Sequence, residues 1–146
     1  MVDVVDKATR SRMMSGIQGK NTKPELLVRK YLHGRGLRFR LHARELPGKP
    51  DLVFPKYKAV VFVHGCFWHG HECTLFKWPQ TRAEFWKEKI VRNRANDKRA
   101  VTSLMTGGWR VCVVWECALR KNNEDIDVLF GRIVDWLHGT VPYFEQ

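Results

Sequence analysis

The chain lacks the features that would tie it to a membrane or to an oxidising compartment. No apolar run approaches the ~20 residues needed to span a bilayer. The opening Met-Val-Asp-Val-Val-Asp-Lys has no basic start followed by an apolar stretch, so it does not read as a secretory signal. Cysteine is sparse, at Cys66, Cys73, Cys112 and Cys117. In the cytoplasm, which these absences predict, such thiols more often bind metal than form disulfides. There are no internal repeats and no low-complexity linker, so 146 residues read as one domain, 1–146, with a basic arm or short helix at 1–20 and a core at 22–146. A 44% hydrophobic content is enough to build that core.

Acidic side chains are also in deficit, 15 against 26 Lys plus Arg, giving a net charge of +11. The excess is uneven. Residues 1–50 carry 12 basic and 4 acidic side chains, residues 51–100 carry 10 and 5, and residues 101–146 carry 4 and 6. A positive field confined to the first two-thirds predicts a polyanion-binding face, and nucleic acid is the expected partner.

Element signals alternate between helix and strand. Thr22 is a candidate cap for a helix with Pro24 in its first turn, stopped by Gly34 and Gly36. Leu37–Leu41, Asp51–Phe54, Ala59–Val63 and Trp109–Trp115 read as strands, the last two apolar throughout, as in strands buried on both faces. Thr81 and Glu84 fit a capping box that opens a long helix ended by Gly107-Gly108. A final helix spans about 123–138, with Ile126, Leu129, Phe130, Ile133 and Leu137 at helical spacing. The expected fold is an α/β sandwich around a small mixed sheet.

What is abundant is chemistry in one window, His64-Gly-Cys-Phe-Trp-His-Gly-His-Glu-Cys73. Thiolate and imidazole are the ligands zinc prefers, and Cys66, His71 and Cys73 leave one ligand to find. Cys117, past the end of a strand, is the candidate. His64, His69 and Glu72 are rivals for single positions, and His69 could replace His71. Four protein ligands would make the zinc structural, with no open position for water. Cys112 sits in an apolar run and reads as a buried free thiol. Asp51 enters one strand and His64 leaves the next, so antiparallel pairing brings them together. A carboxylate there suits Mg²⁺ in phosphodiester hydrolysis. Glu25, in a first helical turn, is explained by the helix dipole alone. Phe67 and Trp68 are expected to be exposed, whereas Trp86 is divided between core and surface.

The segments Leu46-Pro-Gly-Lys-Pro-Asp51, His64-Gly-Cys-Phe-Trp-His69, Thr81-Arg82 with Phe85-Trp86, and Gly108-Trp-Arg-Val111 through Val114-Trp-Glu-Cys117 resemble the very-short-patch-repair (Vsr) DNA mismatch endonucleases. The likeness runs from Asp6 to Arg120. It implies a restriction-endonuclease-like fold of the PD-(D/E)xK type and a strand-specific nick 5′ to the thymine of a T·G mismatch, as left by deaminated 5-methylcytosine. It implies catalytic roles for Asp51, His69 as general base, His64 and Glu25. Two Mg²⁺ ions would bind at Asp51 and the Val63 backbone carbonyl, and one structural Zn²⁺ at Cys66, His71, Cys73 and Cys117. Phe67, Trp68 and Trp86 would enter the stack, with Met14, Ile17, Lys89 and Asn93 as further DNA contacts. The resemblance also implies a nucleoid-associated monomer with other mismatch-repair proteins as partners. Val63 departs from the threonine usual before the active-site histidine. Two other readings remain beside this one: a zinc-stapled DNA-binding module without catalysis, and a restriction-type nuclease acting on paired DNA.

Overall fold

The structure is a computed structural model that describes residues 22–146. Met14, Ile17 and the rest of the basic arm lie outside the described residues. Helix α1 spans Lys23–Gly34, with Thr22 Oγ1 accepting the Glu25 N–H at 3.4 Å and Pro24 in the first turn, as the sequence predicts. Five strands follow in chain order: β1 Arg40–Leu41, β2 Leu52–Phe54, β3 Ala59–His64, β4 Arg110–Trp115 and β5 Tyr143–Glu145. They lie side by side as β1-β2-β3-β4-β5. The β1–β2 and β2–β3 pairs are antiparallel; β3–β4 and β4–β5 are parallel. Helix α2, Ala83–Thr106, crosses from β3 to β4. Short α3, Glu116–Leu119, and α4, Asn123–His138, follow β4. Among the described residues no helix is long and apolar enough to cross a membrane.

Strand alternation sorts the core into two layers. Leu52, Phe54, Val61, Cys112 and Val114 face α1 and α4, packing with Val28, Leu32, Phe130 and Leu137. Val53, Val60, Phe62, Val111 and Val113 pack with Leu104 of α2 on the other side. Both faces of β3 and β4 are therefore covered, which explains their uninterrupted apolar sequences. Cys112 is the buried core thiol expected, its pKa raised by burial.

Three expectations change. The strand foreseen at Leu37–Leu41 contracts to Arg40–Leu41. The Thr81–Glu84 capping box does not form: α2 starts at Ala83, and its cap is Arg82 in the left-handed region at φ 54°, without a side-chain cap bond. That turn places the Arg82 guanidinium 4.3 Å from the Phe85 ring, so the helix entrance is set by a cation–π contact. Strand β5 gave no signal in the sequence. It is three residues long and is held by its neighbours' backbone: Val111 N–H donates to Pro142 O at 2.9 Å, and Trp115 N–H to Gln146 O at 2.8 Å.

Candidate active site and metal centre

The loop after β3 is clamped by one face of α2. The Asn93 side-chain amide donates to Trp68 O at 2.8 Å, and Arg94 donates to Gly70 O. Asp97 Oδ2 lies 2.5 Å from His69 Nδ1. Positions 93, 94 and 97 share a helix face, and they hold three consecutive loop residues. The fit around Gly70 is tight. Gly70 has φ +61°, and a Cβ there would come within 2.5 Å of Ile90 Cγ2 and 2.6 Å of Arg94 Nε.

On one side of the loop Cys66, His71, Cys73 and Cys117 converge, their donor atoms all within 4.8 Å of one another. His71 Nδ1 is 3.6 Å from Cys66 Sγ and 3.5 Å from Cys117 Sγ. A tetrahedral ion with Zn–S of about 2.3 Å and Zn–N of about 2.05 Å places such donors ~3.6 Å apart. The two His71–cysteine distances match that spacing, and the donor set is one that suits zinc. His71 also stacks on Trp115 at 4.0 Å, which fixes the ring. Burial pushes the Cys66 thiol up to about 12. His71, rather than His69, joins the cysteines, and the rivals His64 and Glu72 are not in the group.

On the other side lies a cleft of about 340 Å³ lined by Lys49, Asp51, Val63, His64, His69 and Asp97 among others. Asp51 Oδ2 accepts the Val63 N–H at 2.7 Å. Burial pushes Asp51 up to about 7; the Val63 N–H opposes this and the neighbouring charge of Glu25 adds to it. The Val63 side chain packs against the core on the α1/α4 face. Asp51 has the parity of Val53 and so belongs to the α2 face. Val63 meets Asp51 through its backbone N–H.

His64 and His69 stack with ring centroids 3.8 Å apart and planes at 8°. His64 is buried, its Nδ1 has no hydrogen-bond partner among the described residues, and burial holds its pKa well below the usual imidazole range. That burial disfavours the charged form of His64. With Asp97 accepting from Nδ1–H, His69 keeps a lone pair on Nε2. Asp97 was not foreseen from the sequence.

Glu25 is 1% exposed, which is more burial than a helix-dipole role requires. Arg29 Nη2 donates to its Oε1 at 2.5 Å, and His42 Nε2 contacts the same oxygen. Glu25, His42 and Asp51 also group as potential ligands. The His42 N–H donates to Asp51 O at 3.1 Å, so Glu25 and Asp51 are tied through one residue.

The aromatics form a third feature. Phe67, Trp68 and Trp86 pack on one another at 5.2–5.7 Å, and none belongs to either core cluster. All three are half-buried. The Lys89 ammonium sits 5.4 Å from the Trp68 ring centroid. Asn93, expected at DNA, is engaged in holding the Trp68 carbonyl.

Comparison with known proteins gives a consistent picture. The family model described as DNA mismatch endonuclease Vsr matches residues 2–75. The chain is 49% identical over 140 residues to the DNA mismatch endonuclease Vsr of Escherichia coli (strain K12), covering 95% of this chain and 90% of that protein. It is 50% identical over 133 residues to the type II nicking enzyme V.XorIIP of Xanthomonas oryzae pv. oryzae, covering 91% and 95%. The type II nicking enzyme V.NaeI of Lentzea aerocolonigenes is 36% identical over 141 residues, covering 90% and 78%.

Proposed function

The chain belongs to the DNA mismatch endonuclease Vsr family, and from that premise we propose that it nicks one strand of duplex DNA 5′ to the thymine of a T·G mismatch, as a Mg²⁺-dependent, zinc-stapled monomer of one domain. The observation that carries the reading is a single cleft holding Asp51, His64, His69 and Asp97, whose loop also carries Phe67 and Trp68, packed with Trp86 of α2.

Asp51 is the residue to hold Mg²⁺, with the Val63 carbonyl and Glu25 as neighbouring oxygen donors. Bound there, the ion would offset negative charge on the scissile phosphate and on the leaving oxygen. His69 Nε2 takes a proton from the attacking water, and Asp97 holds Nδ1–H so that the lone pair stays aimed into the cleft. His64 contributes a flat, neutral surface that fixes the ring of His69. Lys49, lining the same cleft, supplies positive charge for phosphate. The site keeps the Pro50–Asp51 half of a PD-(D/E)xK signature. The other half, an acid two residues before a lysine, is absent from β3, whose end reads Phe62-Val63-His64. Glu25 is the carboxylate positioned to take the place of the missing acid.

Zinc at Cys66, His71, Cys73 and Cys117 would fasten the loop to the end of β4, with no open coordination position for chemistry. Mismatch preference follows from cost. Separating stacked bases takes a few kcal/mol in intact duplex and less at a mismatch, so an aromatic wedge enters there first. The alternative, a DNA-binding module without catalysis, leans on Val63, and mismatch binding without Mg²⁺-dependent nicking is the result that would favour it.

The test uses duplexes labelled on either strand, with T·G or T·A at one position, in Mg²⁺. The expected result is one nick immediately 5′ to the mismatched thymine and an intact opposite strand. Equal cutting of the T·A duplex, or cutting of both strands, would sink the proposal.

A further inference from the structure

Two aromatic arms leave Phe67, and the mismatch wedge uses only part of them. One runs along α2 through Trp86 to Phe85, at 5.2 Å per step. The other runs into the loop before α2, from Phe67 to Phe76 at 6.0 Å and on to Trp78 at 4.8 Å in an edge-on contact. Their ends differ. The face of Phe85 is occupied by the Arg82 guanidinium at 4.3 Å. Trp78 is 50% exposed, and among the described residues its ring contact is with Phe76 alone. An indole left open at the end of a chain of rings is a surface for another flat π system. The surrounding charge selects which kind. Lys77 adjoins Trp78, and Arg82 and Lys89 flank the neighbouring rings. Basic side chains beside an open aromatic face suit an unpaired nucleotide held without base-specific readout.

We propose that Trp78, packed edge-on against Phe76, is a stacking site for an unpaired nucleotide next to the mismatch, with the adjoining Lys77 to meet its phosphate. The site rests on the reading of Phe67, Trp68 and Trp86 as the mismatch wedge and extends it: the wedge opens the stack, and Trp78 receives a base freed beside it. The ligand is single-stranded DNA continuous with the duplex. An apolar protein segment is the competing occupant of the same ring.

The experiment measures binding of the full chain by fluorescence anisotropy, without added Mg²⁺, to three DNAs: a matched duplex, a T·G duplex, and a T·G duplex with two unpaired nucleotides beside the mismatch. The wild-type protein is expected to bind the third most tightly. Trp78→Ala should lose that increment, about 5- to 150-fold for one stacked base, while keeping its preference for T·G over matched DNA. Trp78→Leu, which preserves apolar packing without a large π face, should behave like Trp78→Ala, and Trp78→Phe should restore much of the increment. Equal wild-type affinity for the second and third DNAs overturns the proposal, as does a Trp78→Leu protein that binds like wild type. Loss of the T·G preference itself in wild type would instead count against the wedge, and the unpaired-base increment would still report on Trp78.

Discussion

His69 Nδ1 lies 2.5 Å from Asp97 Oδ2, and this contact joins the loop after β3 to the middle of α2. It fixes which imidazole nitrogen is available. Asp97→Asn keeps the shape of the contact and removes its charge and its demand for Nδ1–H. Single-turnover nicking of a T·G duplex should slow by about 100-fold, with DNA affinity changed little. An Asp97→Asn enzyme nicking at the wild-type rate would remove Asp97 from the mechanism.

The wedge separates recognition from chemistry. Trp68 packs on Phe67 and Trp86 outside the core. Trp68→Ala should therefore weaken binding to T·G DNA by roughly 5- to 150-fold, the range for one lost stacking partner, and leave binding to matched DNA nearly unchanged. Equal weakening on both DNAs would place Trp68 in general backbone binding instead.

Gly70 is a packing requirement. Any Cβ there meets Ile90 and Arg94, and φ +61° is unfavourable for other residues. Gly70→Ala combines a left-handed cost of about 1–2 kcal/mol with overpacking of about 1–3 kcal/mol. At about 2–4 °C per kcal/mol for a chain of this size, Tm should fall by roughly 4–20 °C. Calorimetry showing an unchanged Tm would mean that α2 and the loop are not clamped as described.

The zinc assignment predicts stoichiometry and coupling. About one Zn²⁺ per chain should copurify, and a strong chelator should release it with loss of thermal stability, since a closed site contributes folding free energy. Cys117→Ala should lose the ion. Atomic absorption finding full zinc in Cys117→Ala would exclude it as the fourth ligand.

Much of this architecture was legible because some residues have only one reasonable use. The apolar runs in β3 and β4 could only be covered strands, and Thr22-Lys-Pro-Glu could only open a helix. The Cys/His cluster was legible because cysteine and histidine crowd one window. What the sequence left open depends on spatial neighbours. His71 rather than His69 joins the cysteines because His69 is held by Asp97, and in sequence Asp97 is one acid among the basic residues of a solvated helix. Arg29 and His42 likewise give no sign of meeting Glu25. The Thr81–Glu84 pattern misled because Arg82 takes a left-handed turn over Phe85, and β5 is too short to show a period. Val63 looked like a lost hydroxyl, and in the fold it meets Asp51 through its backbone N–H.

If a metal-bearing Asp51 and the His69–Asp97 pair cut DNA at a mismatch opened by the aromatics, single-turnover nicking of T·G and T·A duplexes by wild type and Asp51→Ala in Mg²⁺ will show it. Wild type should nick T·G alone and rapidly, and Asp51→Ala should not nick despite retained T·G binding. An Asp51→Ala protein that nicks T·G at the wild-type rate, or a wild-type protein that cuts both duplexes alike, would contradict it.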